Sequence, residues 1–262
     1  MVPFTGYDMP VQYEGMGVLK EHLHARQNAA LFDVSHMGQA MLRTEGEDPA
    51  ARLEKIVPTD ILGLKPGQVR YTLLLNDRGG IVDDLMVTRW DDHTLYIVVN
   101  AACKEKDFAY IHAQLPGVML DLLDDRALLA LQGPKAEAIL SGLIPAVRDM
   151  PFMTAKTIPY KGYTLYISRS GYTGEDGYEI SVPATFAVAL AQELLGHDEV
   201  KWVGLGARDS LRLEAGLCLY GHDIDDATTP VEANLKWTVS KRRRLEGGFL
   251  GAEKILAQLK EG

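Results

Sequence analysis

Two adjacent carboxylates, Asp83 and Asp84, are the residues of this chain best suited by type and position to do chemistry. They follow the turn Gly79-Gly80 and open a run of apolar residues with the composition of a β-strand. Successive strand side chains point to opposite faces, so one acid is predicted to share the face of Ile81 and the other that of Val82. At least one acid then lies among apolar neighbours, which is costly unless it is paired, hydrogen-bonded or held for chemistry. An edge strand or a turn with two solvated acids is the alternative.

The segment Gly171-Tyr-Thr-Gly-Glu-Asp-Gly-Tyr-Glu179 is a second candidate. Its three glycines allow close backbone approach or positive φ, and its tyrosines, Tyr172 and Tyr178, offer flat surfaces to a planar ligand. Glu179 is predicted on the strand face opposite Tyr178. A carboxylate can accept two parallel N–H bonds from an amidine-like edge such as a pterin or purine presents. A hairpin loop with one solvated glutamate is the alternative.

Three further polar groups carry weaker signals. Arg208 and Arg212 are four residues apart on a predicted helix, where either a ligand carboxylate or a surface ion pair would suit them. The segment Asp33–His36 lacks a Gly-x-Ser-x-Gly elbow and is predicted to form a polar turn. The segment Asp223–Asp226 lacks the ligand pattern of a calcium loop, so we expect no metal.

The elements that must position these residues follow from hydrophobic periodicity and turn signals. Strands are predicted at 71–75, 81–90, 95–99, 126–131, 163–168 and 178–182. Helices are predicted at 104–115, at 135–143, from a Thr185 cap to Leu195, and at 203–217. Two strand-rich, helix-covered halves predict an α+β fold and suggest a duplication.

The composition restricts the classes of partner. The 262 residues carry a net charge of −9, which argues against nucleic-acid binding because phosphate contacts need a basic surface. The run Lys241-Arg-Arg-Arg244 is the exception; it is either a solvated face or a surface that steers a polyanion or an acidic partner. No signal peptide or membrane span is evident, so no membrane partner is expected. We expect a bacterial cytoplasmic protein, or one of the mitochondrial matrix if the source is eukaryotic.

Several ordered motifs together resemble one known family. The motifs are Leu31-Phe-Asp-Val-Ser-His-Met-Gly38, Gly79–Asp84, Gly171–Glu179, Gly206–Asp223, Thr228-Thr-Pro-Val-Glu232 and Ser240-Lys-Arg-Arg-Arg244. The chain closely resembles the T protein of the glycine cleavage system, an aminomethyltransferase dependent on tetrahydrofolate. The resemblance covers nearly the whole chain and implies that residues 1–262 form its folate-binding region, with two intertwined subdomains.

The resemblance also implies roles for individual residues. Asp84, the second acid of the pair, would be the catalytic carboxylate beside the reactive folate nitrogens. The folate site would further include Met37, Tyr71, Asn100, Tyr172, Glu179 and Arg208. Within that set Tyr172 would pack against the folate and Glu179 would bind the pterin edge.

The implied reaction takes an aminomethyl group from the dihydrolipoyl arm of the H protein, releases ammonia and yields methylenetetrahydrofolate. Full-length members of the family carry a third, barrel-like β-rich domain, with another arginine for the folate site, beyond the position where this sequence ends. That domain is therefore expected to be absent from this chain. Two alternatives remain: a folate-binding module or regulatory relative with little turnover, or a related demethylase that uses another one-carbon donor.

Overall fold

The computed structural model describes residues 1–261. The strands are β1 Val2–Phe4, β2 Tyr7–Met9, β3 Ala29–Asp33, β4 Gly38–Thr44, β5 Val69–Leu75, β6 Ile81–Arg89, β7 Thr94–Val99, β8 Val118–Leu122, β9 Arg126–Gln132, β10 Ala155–Tyr160, β11 Tyr163–Ser168, β12 Gly177–Pro183 and β13 Val200–Trp202. The α-helices are α1 Val18–Gln27, α2 Pro49–Leu53, α3 Lys104–Gln114, α4 Ala136–Leu143, α5 Ala184–Leu195, α6 Leu205–Glu214, α7 Lys241–Glu246 and α8 Ala252–Glu261. Short 3-10 helices lie at Pro145–Val147 and Lys236–Thr238. None of the helices in this described part has the length and apolar character needed to cross a membrane.

The chain forms two compact units, each assembled from two separate segments. Unit 1 contains Met1–His36 and Asp124–Leu217, and unit 2 contains Met37–Leu123 and the chain from Cys218 onward. The predicted α+β class is confirmed by two large sheets with their own helices, beside which β1 and β2 form a separate two-stranded sheet. Strand β9 and helix α4 belong to unit 1, and β9 pairs there with both β12 and β3.

Unit 1 is built on a six-stranded sheet of order β10-β11-β12-β9-β3-β13, in which only β13 runs parallel to its neighbour. Alternation along β12 sends Tyr178, Ile180 and Val182 into a core that residues of α4 and α5 complete. Glu179 points to the other face, as the sequence predicts. The strand thus anchors the acid through its buried neighbours.

Unit 2 is built on a five-stranded antiparallel sheet of order β5-β6-β7-β4-β8. One face packs against apolar residues of α2 and α3, and the other against residues of the C-terminal segment that include Ile224 and Ile255. Because both faces are covered, β6 is buried along most of its length. Both acids of the pair therefore lie on a strand whose neighbours are largely apolar.

Local predictions hold best where the periodicity is strong. The predicted helix 104–115 is α3, and its expected apolar face is confirmed, with Ile111 and Leu115 fully buried and Phe108 packed beside them. The predicted Thr185 cap is wrong, because α5 begins at Ala184 with Pro183 at its N-cap, two residues before the predicted cap. Helix α6 is shorter than the predicted 203–217. Strand β10 was not predicted; three of its six residues are exposed, which weakens the apolar signal.

Candidate active site

A bulge in β6 decides where the two acids point. Strand β5 pairs Leu74 with Asp83 and then Leu75 with Ile81, so the register skips Val82. Val82 joins the α3 side of the sheet and Ile81 the opposite side. The two acids diverge as predicted. Strict alternation would place Asp83 on the face of Ile81 and Asp84 on that of Val82, but the bulge exchanges these pairings, so Asp84 shares the face of Ile81 and Asp83 that of Val82. β-Bulges near active sites commonly re-aim a side chain in this way.

Asn100, which follows β7, binds both acids. Its backbone N–H donates to Asp83 Oδ2 at 3.2 Å, and its Nδ2 donates to Asp83 Oδ1 at 2.9 Å. The same Nδ2 lies 2.8 Å from Asp84 Oδ1 and 3.1 Å from the Asp84 carbonyl oxygen. Its two protons therefore serve three acceptors, and the orientation of Asn100 fixes the separation of the two carboxyl groups.

Asp84 is half-buried, whereas Asp83 is fully buried. Burial, and then the charge of Asp83, raise the pKa of Asp84 to about 7, against the lowering effect of hydrogen bonds from Tyr71 and Asn100. Tyr71 also stacks on Trp237 with ring centroids 5.5 Å apart. The structure thus brings the predicted site residues Tyr71 and Asn100 together around the Asp84 carboxyl, which can exchange a proton near neutral pH.

Met37 lies half-buried directly before β4. The turn that leads to it is the polar turn predicted from the sequence, because Asp33 Oδ1 accepts hydrogen bonds from the backbone N–H of Ser35 at 3.0 Å and from its hydroxyl at 2.6 Å. Both Asp33 and Ser35 are therefore used in shaping the chain. The role of Met37 beside a folate stays a prediction.

Unit 1 assembles the other three predicted residues. Glu179 is half-buried on β12 and accepts a hydrogen bond from the Ser170 hydroxyl at 2.7 Å. The Arg208 guanidinium on α6 lies 4.7 Å from the centre of the Tyr172 ring. Burial lowers the pKa of Arg208, while Glu179 and Tyr172 act in the opposite direction. A carboxylate, an aromatic face and a guanidinium thus occupy one neighbourhood of unit 1.

Tyr178 does not belong to this group. Its side chain is fully buried in the core of unit 1, where the Arg169 guanidinium lies 5.5 Å from its ring centre. The expectation that both tyrosines could cover a planar ligand is therefore wrong for Tyr178. Alternation along the strand explains the difference, because Tyr178 and Glu179 must point to opposite faces.

The glycines of the 171–177 segment serve two purposes. A Cβ on Gly171 would lie 1.7 Å from the Gln132 side chain, and one on Gly177 would lie 2.4 Å from the Leu131 carbonyl oxygen. Gly174 instead has a φ of +80°. Close approach therefore requires two of these glycines and positive φ the third.

Residues 1–243 match the family model described as the GCVT N-terminal domain. The chain belongs to the GCVT family. A probable mitochondrial aminomethyltransferase of Schizosaccharomyces pombe is 47% identical over 267 residues, covering 100% of this chain and 68% of that protein. The mitochondrial aminomethyltransferase of Dictyostelium discoideum is 48% identical over 278 residues, with the same two shares.

A solved structure gives the same assignment. The glycine cleavage system aminomethyltransferase T of Bartonella henselae superposes with a TM-score of 0.93 at 45% identity, covering 100% of this chain and 71% of that one. The predicted resemblance and the folate-binding fold of T-protein type are confirmed. The chain spans about two thirds of the length of the GCVT relatives from S. pombe and D. discoideum.

The basic run of this GCVT chain is held by internal contacts. Arg242 donates to Glu54 and Asp60 at 2.5 and 2.7 Å, while Arg243 is buried and donates to the Glu54 carbonyl oxygen. Arg244 donates to two backbone carbonyls. These contacts favour a structural role for the run over the steering surface considered from sequence. Arg212, considered as a ligand or surface residue, is likewise buried and donates to Asp209.

Sequence reasoning missed one acid beside this GCVT site. Asp107 on α3 is fully buried, and its carboxyl lies within 4.8 Å of the Asp83 carboxyl and the Cys103 sulfur. Its sequence signal is spacing: Asp107 follows Cys103 by four residues and precedes Ile111 by four, so it occupies the apolar stripe of α3. An acid on an apolar helix face is as costly to bury as the Asp83-Asp84 pair, and is a functional-site candidate for the same reason.

Proposed function

We propose that this chain transfers an aminomethyl group to tetrahydrofolate as the T protein of the glycine cleavage system does. The observation that supports this best is the half-buried Asp84 carboxyl, with a pKa of about 7 and hydrogen bonds from Asn100 and Tyr71, in a chain of the GCVT family. Relatives that cover the whole chain are named aminomethyltransferases. Residues 1–262 would form the folate-binding region, with units 1 and 2 as its intertwined subdomains.

Unit 1 supplies groups that suit a pterin. Glu179 accepts one hydrogen bond from Ser170, and a carboxylate has about four lone-pair sites, so it can still accept two parallel N–H bonds. The Tyr172 ring gives a flat apolar face, and Arg208 beside it supplies N–H donors and a positive charge. We assign Glu179 to the pterin edge, Tyr172 to packing on the folate and Arg208 to folate binding.

Unit 2 supplies the group for the chemical step. As nitrogen replaces sulfur on the one-carbon unit, positive charge develops there, and a fixed carboxylate stabilises that charge without reorganisation. The hydrogen bonds from Asn100 and Tyr71 hold Asp84 in one orientation. Two folate N–H protons are lost as two nitrogens bond to the one-carbon unit: one completes the departing ammonia and the other the departing lipoyl thiol. With a pKa of about 7, Asp84 can carry such a proton from an attacking nitrogen to a leaving group. We assign Tyr71, Asn100 and Met37 to the folate site around it.

The donor in this proposal is the aminomethyl group on the lipoyl arm of an H protein. The basic run 241–244 is a poor candidate for the docking surface, because internal acceptors already bind its arginines. For localisation we propose the mitochondrial matrix if the source is eukaryotic, since the S. pombe and D. discoideum relatives are named mitochondrial, and the cytoplasm if it is bacterial.

Binding and turnover measured on one sample test this proposal. Tetrahydrofolate is titrated by calorimetry, and methylenetetrahydrofolate formation from aminomethyl-loaded H protein is then followed. Binding with turnover supports the proposal. Binding without turnover on this donor contradicts it and favours a folate-binding module, or a demethylase if dimethylglycine or a sulfonium donor is used instead. Absence of binding contradicts the folate assignment of Glu179.

A further inference from the structure

Three side chains beside the active-site acids form a closed polar cluster in unit 2. Asp83 and Asp107 are fully buried and Cys103 nearly so, and their ligating atoms all lie within 4.8 Å of one another. Asp83 projects from β6, Asp107 from the first turn of α3, and Cys103 from the residue before α3. Two of the three groups are carboxyls, so the cluster cannot hold both as anions without a large electrostatic cost.

The two acids differ in their partners. Asp83 accepts from the backbone N–H and the side-chain amide of Asn100. Within residues 1–261, neither Asp107 oxygen accepts a hydrogen bond from an N–H or O–H donor, and the Lys106 ammonium lies 4.0 Å from Oδ1. A buried carboxylate without a donor is costly, whereas a protonated one supplies its own donor to the neighbouring acid.

The electrostatic surroundings of Asp83 and Asp107 favour one bound proton between the two carboxyl groups. Burial, a hydrogen bond to Asp83 and the charge of Asp83 together raise the pKa of Asp107 to about 10, and Lys106 only partly opposes them. The N-terminus of α3 would favour an anion, but that effect is small beside burial next to a second carboxylate. Burial and Asp83 raise the pKa of Cys103 to about 12, so the thiol also stays neutral.

We propose that Asp107 is a positioning residue that remains a protonated carboxylic acid and donates its hydrogen bond to Asp83. Asp83 is then the carboxylate that orients Asn100, and Asn100 in turn orients Asp84. The chain of contacts Asp107, Asp83, Asn100, Asp84 passes from the first turn of α3 to the carboxyl assigned to catalysis. The catalytic consequence rests on the proposed function, whereas the protonation state does not.

A bound proton explains the cluster better than a bound metal. Both Asp83 oxygens already face N–H donors of Asn100, which a cation would have to displace. The Lys106 ammonium, held by the Val82 carbonyl oxygen at 2.7 Å, would also repel a cation beside Asp107. A shared proton requires neither change.

Two substitutions separate a protonated Asp107 from an ionised one. Asp107→Leu removes the donor to Asp83. We expect it to lower kcat about tenfold to hundredfold with less than a threefold change in KM, because the substitution changes the orientation of the Asp84 carboxyl rather than the groups that bind substrate. Asp107→Asn keeps a donor and adds no charge, so it is expected to recover at least half of that loss on a logarithmic scale. Glu105→Gln removes an exposed acid from the same helix turn and is the control for charge and helix stability.

The pH profile distinguishes this role from simple packing. If Asp107 is neutral, Asp107→Asn leaves the acid limb of kcat, set by Asp84, within about 0.3 pH units of the unmodified chain. If Asp107 is an anion, Asn removes a negative charge near Asp84 and the limb moves to lower pH by about one unit or more. The second result overturns the proposal.

Infrared difference spectroscopy gives a readout that needs no turnover. The C=O stretch of a protonated carboxylic acid is expected at pH about 8, below the Asp107 pKa of about 10, and should disappear in Asp107→Asn but persist in Glu105→Gln. Loss of turnover with this band present would count against the proposed function alone. An absent band, or stoichiometric zinc binding that Asp107→Asn and Cys103→Ser both abolish, would overturn the positioning proposal.

Discussion

Replacing Asp84 by Asn is expected to stabilise the folded chain while it removes catalysis. Burial, followed by the charge of Asp83, raises the pKa of Asp84 from 3.8 to about 7. At about 1.4 kcal/mol per pKa unit, ionising this carboxyl costs roughly 4 kcal/mol more in the folded than in the unfolded chain. Since Asp84 is only half-buried, solvent screens part of that cost, and we expect the free energy of unfolding to increase by about 2 kcal/mol at pH about 8.

The sign of the pH dependence follows from the raised pKa. The folded chain keeps the Asp84 proton over a pH range in which the unfolded chain has lost it. The stability contributed by this group is therefore complete below about pH 4, falls as the pH rises to about 7, and is constant above that range. Asp84→Asn lacks the titrating group, so its advantage over the unmodified chain should be largest at pH about 8 and vanish near pH 4.

Turnover should respond in the opposite direction to stability. We expect Asp84→Asn to lower kcat by about a hundredfold to a thousandfold, as loss of a charge-stabilising group does, while the Kd for tetrahydrofolate changes less than about threefold. In the unmodified chain, kcat should fall about tenfold for each pH unit below about 7, as the carboxylate becomes protonated.

Urea denaturation at pH about 8 and about 4, calorimetric titration of tetrahydrofolate and the methylenetetrahydrofolate assay together check this prediction. Asp77→Asn is the matched control, because it removes the same charge from an exposed position in the turn before β6. A stability gain that is equal at both pH values, or equal in the control, would refute the electrostatic argument. Equal losses in turnover and folate affinity would make Asp84 a binding residue.

Three further substitutions test the roles of other residues. Glu179→Gln should raise the Kd for tetrahydrofolate about tenfold with less than a threefold change in kcat, because one oxygen that accepts from the pterin edge becomes a donor; calorimetry and the turnover assay check this. Arg242→Ala should lower the free energy of unfolding by about 2 kcal/mol, since it removes one of the two guanidinium groups beside the buried Glu54 carboxylate together with the ion pair to Asp60. Exposed Lys241→Ala should change it by less than about 0.5 kcal/mol, and urea denaturation decides. Gly80→Ala should lower the free energy of unfolding by at least about 2 kcal/mol, because its Cβ would lie 1.8 Å from a backbone carbonyl oxygen. The control Gly142→Ala, on an open face of α4, should raise the free energy of unfolding by about 0.5 kcal/mol. Equal effects of the two substitutions in thermal unfolding would contradict the steric argument.

Much of the local structure and part of the candidate site could be predicted from the sequence. The apolar stripe of α3 is periodic enough to predict the helix and its buried face, and the apolar run 81–90 is sufficient to predict the strand β6. The same alternation put Glu179 on the open face of β12, and the glycine spacing marked a loop of close backbone approach. Thr185 failed as a cap because the helix begins at Ala184, directly after Pro183 at the end of β12, so Thr185 already lies in the first turn.

The sequence by itself determined the chemistry that is available: two adjacent acids on an apolar strand, and a glutamate after a glycine-rich loop. Only the tertiary structure decided which partners those groups meet. Skipping Val82 in the β5–β6 register exchanged the faces of β6, and Asn100 came to bind two acids that precede it by 16 and 17 residues. Neither event has a local signal, because each depends on pairing between segments that are distant in the chain. Asp107 shows the same limit, since its position on α3 indicates burial, whereas its place beside Asp83 required the fold.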